Sequence, residues 1–232
     1  MISKENRAIA VGTFRLDYKK ILNKVVYFLD QKIDGFPQYL KNSEYVSTNE
    51  KALNSCLTTY LNFMSGSYDS IETFRFYFDK DTQVEGSNHE PDLGVMLANQ
   101  KGRGKAFFHI ECKRLPDRDK QHEQEYVHGK LGGIQRFKEG KHGSDFSHSA
   151  MVGYIEKETC DHWFSQINSW ISTLINQDST FWNKSDYLSP RVIGNNEKHI
   201  SNHIRRNSTS SIQLYHYWVL IPFSSSPTDD LQ

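Results

Sequence analysis

AFFHIECKRL, residues 106–115, is the stretch whose reading decides the fold. Side chains alternate along a strand, so His109, Glu111 and Lys113 share one face while Phe108, Ile110 and Cys112 share the other, which is expected to be the buried one. A carboxylate and an ammonium two residues apart on so apolar a strand are costly unless both meet partners or a metal ion. The Gly-rich KGRGK at 101–105 supplies a turn into this strand. Before it, 93–98 reads as a strand after the Glu90-Pro91 break, and FRFYF at 74–78 reads as another. Strands joined so closely predict an antiparallel meander.

Helical spacing flanks the meander on both sides. Leu16, Ile21, Val25, Phe28 and Leu29 predict an amphipathic helix over 15–31, ended by Gly35 and Pro37. Leu53, Leu57, Tyr60, Leu61 and Met64 form one apolar stripe over 49–64, stopped at Ser65-Gly66. Downstream, a helix is expected at about 123–138, a strand at 150–155 and a helix over 161–175 with Trp163, Ile167, Trp170, Ile171 and Leu174 on its apolar face. Two more strands, 198–205 and 213–222, precede a polar tail at 224–232. This order predicts an α/β fold with a central mixed sheet flanked by helices, an N-terminal helix and extra C-terminal strands. A single domain over 1–223 is expected, with its core at about 47–175, an N-terminal extension over 1–40 and C-terminal strands over 190–223.

Composition excludes several classes. No apolar run approaches the roughly 18 residues of a membrane span, and MISKENRAIAVG lacks the apolar block of a secretory signal, so a cytoplasmic protein is expected. Cys56, Cys112 and Cys160 are far apart and without C-x-x-C spacing, which argues against a disulfide framework or a structural zinc site. His199 and His203 have i, i+4 spacing, but Ile200 replaces the glutamate of a helical zinc motif and the surroundings read as a strand. Neither a phosphate-binding G-x-x-x-x-G-K-[ST] loop nor a G-x-S-x-G elbow occurs. Lys plus Arg equals Asp plus Glu at 28 each, so no global basic field attracts nucleic acid. Three local patches remain, KGRGK at 101–105, RFKEGKH at 136–142 and KHISNHIRR at 198–206, each of which also reads as a solvated loop or strand edge.

Asp92 begins the strand before the Gly-rich turn, and antiparallel pairing can bring it level with Glu111. The two carboxylates could then share a hard divalent cation, Mg²⁺ or Mn²⁺, that keeps several waters. Lys113 would orient or help deprotonate the attacking water and stabilise charge on phosphorus. Through Pro91-Asp92 and Glu111-Cys112-Lys113 the chain resembles the PD-(D/E)xK nuclease superfamily, over roughly residues 47–156. That resemblance implies a restriction-endonuclease-like core in which Asp92 and Glu111 bind metal and Lys113 acts at the water.

Many members of that family add an acidic residue from the first core helix. Glu50 lies on the apolar stripe here and would point inward, although Ser47-x-x-Glu50 also reads as a capping box. Lys130 falls among Tyr126, Val127, Gly133, Ile134 and Phe137 on a helical wheel, and would either snorkel outward or reach the scissile phosphate. Lys101, Arg103, Lys105, Arg114 and Arg136 are the candidate nucleic-acid contacts, with Arg136 reading equally as a solvated helix end. GGIQRF and the late S-x-H-x-R string, Ser201, His203 and Arg205, are similar to segments of bacterial nucleases of restriction and phage defence.

The resulting expectation is a Mg²⁺- or Mn²⁺-dependent endonuclease, acting on DNA in prokaryotic defence. The alternatives are an RNA-cleaving effector of the same fold, or an inactive nucleic-acid-binding or assembly module in which Glu111 and Lys113 form a structural ion pair. Neutral charge points to a homodimer cleft, or to a partner ATPase, helicase or regulatory subunit that supplies affinity.

Overall fold

A computed structural model of the chain describes residues 8–11, 14–43, 49–67, 76–80, 92–97, 106–116, 122–190, 198–206 and 210–221. It begins with a short antiparallel pair, β1 (Ala8–Val11) and β2 (Phe14–Asp17), which the periodicity did not predict. Helix α1 (Tyr18–Lys32) follows, its start capped by Asp17, whose carboxylate accepts the Lys19 N–H at 3.0 Å. It buries Ile21, Leu22, Val25, Phe28 and Leu29, four of which belong to the predicted stripe. Helices α2 (Phe36–Asn42) and α3 (Glu50–Ser67) complete this layer.

The predicted meander is present as β3 (Phe76–Lys80), β4 (Leu93–Leu97) and β5 (Phe108–Leu115), paired antiparallel in that order. After the short helix α4 (Gly133–Lys138), strand β6 (His148–Ile155) lies parallel to β5. Helix α5 (Cys160–Gln177) then leads to β7 (Lys198–Ile204) and β8 (Ser211–Leu220). Strand β8 inserts parallel beside β6, and β7 pairs antiparallel on its outer side. Among the described residues the order is therefore β3-β4-β5-β6-β8-β7, a mixed six-stranded α/β sheet.

Helices cover both faces. Phe108, Ile110 and Cys112 of β5 join Val152 and Tyr217 against Val25, Phe28 and Leu57 on the α1–α3 side. On the other side Leu115, Met151, Leu214 and Trp218 pack with Ile134, Phe137, Trp163 and Ile167. Strand β5 is thus buried on both faces, and the face carrying His109, Glu111 and Lys113 is closed rather than solvated. The physical reason is the α4 side of the sandwich, whose chain lies over that face.

The helix expected over 123–138 is largely absent. Residues 122–131 form turns, and only 133–138 are helical. Gly129 adopts φ +119°, outside the helical region. A Cβ on Gly132 would stand 2.4 Å from the His128 carbonyl carbon, so the chain folds back on itself where a continuous helix would run on. Among the described residues no helix is long and apolar enough to cross a membrane.

Candidate active site at the end of strand β5

The site starts from the alternation of β5. Glu111 and Lys113 are neighbours on one face, with Lys113 Nζ 3.1 Å from Glu111 Oε1. Their side chains are 2% and 9% exposed, so this ion pair sits largely out of water. The β4–β5 register pairs Leu93 with Ile110. Continuing it by one residue sets Asp92 across from Glu111, and the Asp92 carboxylate Oδ2 accepts the Cys112 N–H at 2.7 Å.

Glu50 arrives from a third element. At the start of α3, Asn49 Oδ1 accepts the Ala52 N–H at 2.8 Å and so caps the helix. The Glu50 carboxylate turns toward β5 instead, where Oε2 accepts the Arg114 N–H at 3.3 Å and Oε1 lies 3.8 Å from Lys113 Nζ. Of the two readings open in the sequence, the inward-pointing one describes its geometry. Ser47 lies outside the described residues.

The opposite wall comes from α4 and the chain after it. Arg136 Nη1 donates to Glu111 Oε1 at 3.4 Å, and His142 Nε2 stands 3.5 Å from Glu111 Oε2. Burial opposes ionisation of Glu111, but Lys113, His142 and Arg136 together outweigh it and hold its carboxyl below the usual range. Asp92 behaves in the opposite way. Burial and the nearby Glu111 and Glu50 carboxylates push its pKa well above the ordinary value, and the attraction of Lys113 and the Cys112 hydrogen bond do not compensate. Lys113 is desolvated too, yet the three carboxylates raise its pKa, so it remains an ammonium.

These features bear on whether a metal ion fits. Asp92 and Glu111 offer oxygen donors only, the Glu111 Oε2 atom is buried without a hydrogen-bond partner, and the charge repulsion at Asp92 is of the kind a cation relieves. Among the described residues no group of three or more His, Cys, Asp or Glu side chains is set to enclose an ion. The donor set therefore suits a hard divalent cation held by few carboxylates and completed by water or phosphate, not an all-protein cage.

Other candidates lie elsewhere. Lys130 is exposed on a turn, so the helical wheel that aimed it inward does not apply. Arg114 is 7% exposed and its guanidinium pairs with Glu156, which removes it from the surface a nucleic acid would touch. Lys101, Arg103 and Lys105 lie outside the described residues. Two of the three basic patches turn partly inward: Lys138 and His142 are fully buried, as are His203 and most of Arg205, while Lys141 and Arg206 stay exposed. His199 and His203 lie on strand β7, not on a helix.

His109 shares the Glu111 face, and burial, with the neighbouring His142, lowers its pKa to about 3. It is a neutral wall residue.

The sequence reading missed His142, which lies in an irregular segment where no periodicity assigns a face. It also missed a buried polar chain behind the site. Lys138 Nζ meets both Asp186 oxygens at 2.7 and 2.9 Å, and His203 Nδ1 meets Asp186 Oδ1 at 2.6 Å. Ser201 Oγ bridges His203 Nε2 at 2.6 Å and His216 Nε2 at 2.7 Å. Tyr126 then links His216 Nδ1 at 2.9 Å to the Trp218 indole N–H at 3.0 Å. The indole can only donate and the carboxylate only accept, so with both imidazoles neutral every proton in this chain points toward Asp186. Burial lowers the pKa of both His203 and His216, in keeping with that state. Although Asp186, His203 and Ser201 have the connectivity of a hydrolytic triad, all three are fully buried, so no substrate reaches the hydroxyl.

No family model matches the chain, and neither a curated protein nor a solved structure does.

Proposed function

We propose that the chain is a divalent-metal-dependent nuclease of the PD-(D/E)xK kind, built on a restriction-endonuclease-like core, that hydrolyses phosphodiester bonds in DNA in prokaryotic defence. The observation that carries this reading is convergence: Glu50 from α3, Asp92 from the start of β4 and Glu111 from β5 all act on Lys113. A scaffold has no need to bring three carboxylates from three elements around one ammonium.

Asp92 and Glu111, with Glu50 beside them, would hold Mg²⁺ or Mn²⁺, which when bound supplies Lewis acidity and a more acidic water. Lys113 keeps its proton, and so suits orienting the water and offsetting negative charge as the bond to phosphorus forms. Arg136, already at Glu111, presents a planar donor fork suited to a non-bridging phosphate oxygen. It stands in for Lys130, the candidate for the scissile phosphate on the helical wheel.

One observation favours the alternative of an inactive binding module: Lys113 and Arg136 already pair with Glu111. Cleavage assays separate the two. Plasmid DNA, single-stranded DNA and RNA are incubated with Mg²⁺, Mn²⁺ or EDTA, beside Asp92→Ala and Lys113→Ala. Metal-dependent cleavage of DNA is expected, reduced about a hundredfold or more in each variant. Undiminished cleavage in both variants would sink the site, preferential cleavage of RNA would reassign the substrate, and binding without cleavage would favour the module.

A further inference from the structure

Ser201, His203 and Arg205 stand at alternate positions, and their side chains turn to the same buried side of the sheet. Ser201 and His203 lead to Asp186 and thence to Lys138, the last residue of α4. Arg205 goes further. Its Nη1 donates to the Phe137 carbonyl at 3.0 Å, and its Nη2 to the Gly143 and Phe146 carbonyls at 2.7 and 2.6 Å. The next residue, Arg206, donates its backbone N–H to the Lys138 carbonyl at 3.0 Å.

The bonds of Arg205 and Arg206 all land on one segment, 137–146, which Asp186 also joins at Lys138. It has little regular structure of its own, yet it follows Arg136 directly and contains His142, the two residues of this wall that meet Glu111. A guanidinium presents five donors in a rigid plane, which is what three carbonyls from separated positions of an irregular loop require. A lysine at 205 has a single nitrogen and could not serve all three with the same geometry.

We propose that Arg205 is a positioning residue: it docks the 137–146 segment onto the sheet so that Arg136 and His142 face the Glu111 carboxylate. Its effect on cleavage rests on the nuclease reading above, whereas the docking does not. Within the S-x-H-x-R string, Arg205 fastens the wall directly, His203 reaches it through Asp186 and Lys138, and Ser201 holds His203 in turn.

The test combines two measurements on the full chain, for the unaltered protein, Arg205→Gln and Arg205→Lys. Amide hydrogen exchange is followed at Gly140, Lys141, His142 and Phe146, with α5 as internal reference; kcat and KM are measured separately for Mg²⁺-dependent DNA cleavage. In Arg205→Gln those amides should exchange about tenfold faster or more while α5 is little changed. A fall of about 10- to 100-fold in kcat at near-constant KM should accompany it. Arg205→Lys should recover part of both effects, and it carries the comparison if the Gln variant does not fold.

Unchanged exchange in 137–146, or exchange that rises equally in α5, overturns the docking claim. Full kcat despite a loosened segment overturns the positioning claim. Failure of the unaltered protein to cleave either DNA or RNA defeats the nuclease reading, and the exchange contrast still decides whether Arg205 docks the segment.

Discussion

Asp92 occupies a place where a carboxylate is ill at ease. Its pKa is raised by burial and by Glu111 and Glu50, so holding it ionised at neutral pH works against folding. Asn at this position keeps an oxygen to accept the Cys112 N–H and removes the charge. Asp92→Asn is therefore expected to raise stability by about 1 kcal/mol while cleavage is lost, measured by urea unfolding beside the activity assay. A variant both inactive and less stable would show that the carboxylate is not a source of strain.

At this scale much of the site was legible in the sequence. Strand alternation alone set Glu111 beside Lys113, and the antiparallel pairing of β4 with β5 brought Asp92 opposite. Lys130 was misplaced because a helical wheel presupposes an unbroken helix. Arg136 was ambiguous because nothing local says which way a short helix faces. His142 had no periodic context at all.

Among the elements, the turn before α4 is the one the sequence disguised. Gly129, Gly132 and Gly133 are compatible with a helix at some cost in propensity, and only the backbone crossing behind Gly132 shows that it must remain a glycine. A Cβ there would lie 2.4 and 2.5 Å from His128 backbone atoms and 2.8 Å from the Gly129 nitrogen, none of which can swing away. Gly132→Ala is expected to cost about 1–3 kcal/mol, read as a lowered urea midpoint. An unchanged midpoint would mean that the turn has room to relax. The strands were easier. Strands β4 to β8 fall within a few residues of their expected positions, because alternation and flanking turn residues mark strands locally.

For the whole molecule, strand order was the part that local reasoning could not reach. Nothing in residues 211–220 says that β8 slips between β6 and β7, since that placement is decided by which apolar faces meet across the core. The same packing leaves several histidines neutral inside the protein. Burial lowers the pKa of His109 to about 3, and lowers those of His203 and His216 as well. Below pH about 6.5 the unfolded chain takes up protons that these histidines refuse, so stability should fall as pH drops from 6.5 toward 3. Asp186, with its pKa held down by His203 and Lys138 against the effect of burial, adds a further loss at the acid end. Asp92 works in the opposite sense, as one group against four. For His109 the expected loss is on the order of 1 kcal/mol for each pH unit between 6.5 and about 3, and His203 and His216 add to it in the same direction. Urea midpoints at pH 7 and pH 5 check it, and a midpoint that holds or rises at pH 5 would mean the histidines already carry protons in the fold.

The grip of Arg205 on residues 137–146 also carries a consequence in time. Ribosomes make Glu50, Asp92, Glu111, Lys113 and Arg136 before they make Arg205, and a domain folds as a unit once its chain has emerged. A half-made chain thus holds every acidic and basic group of the site without the bolt that fixes its far wall. On the nuclease reading, cutting would reach its full rate only after residue 205 has been made and has docked this wall.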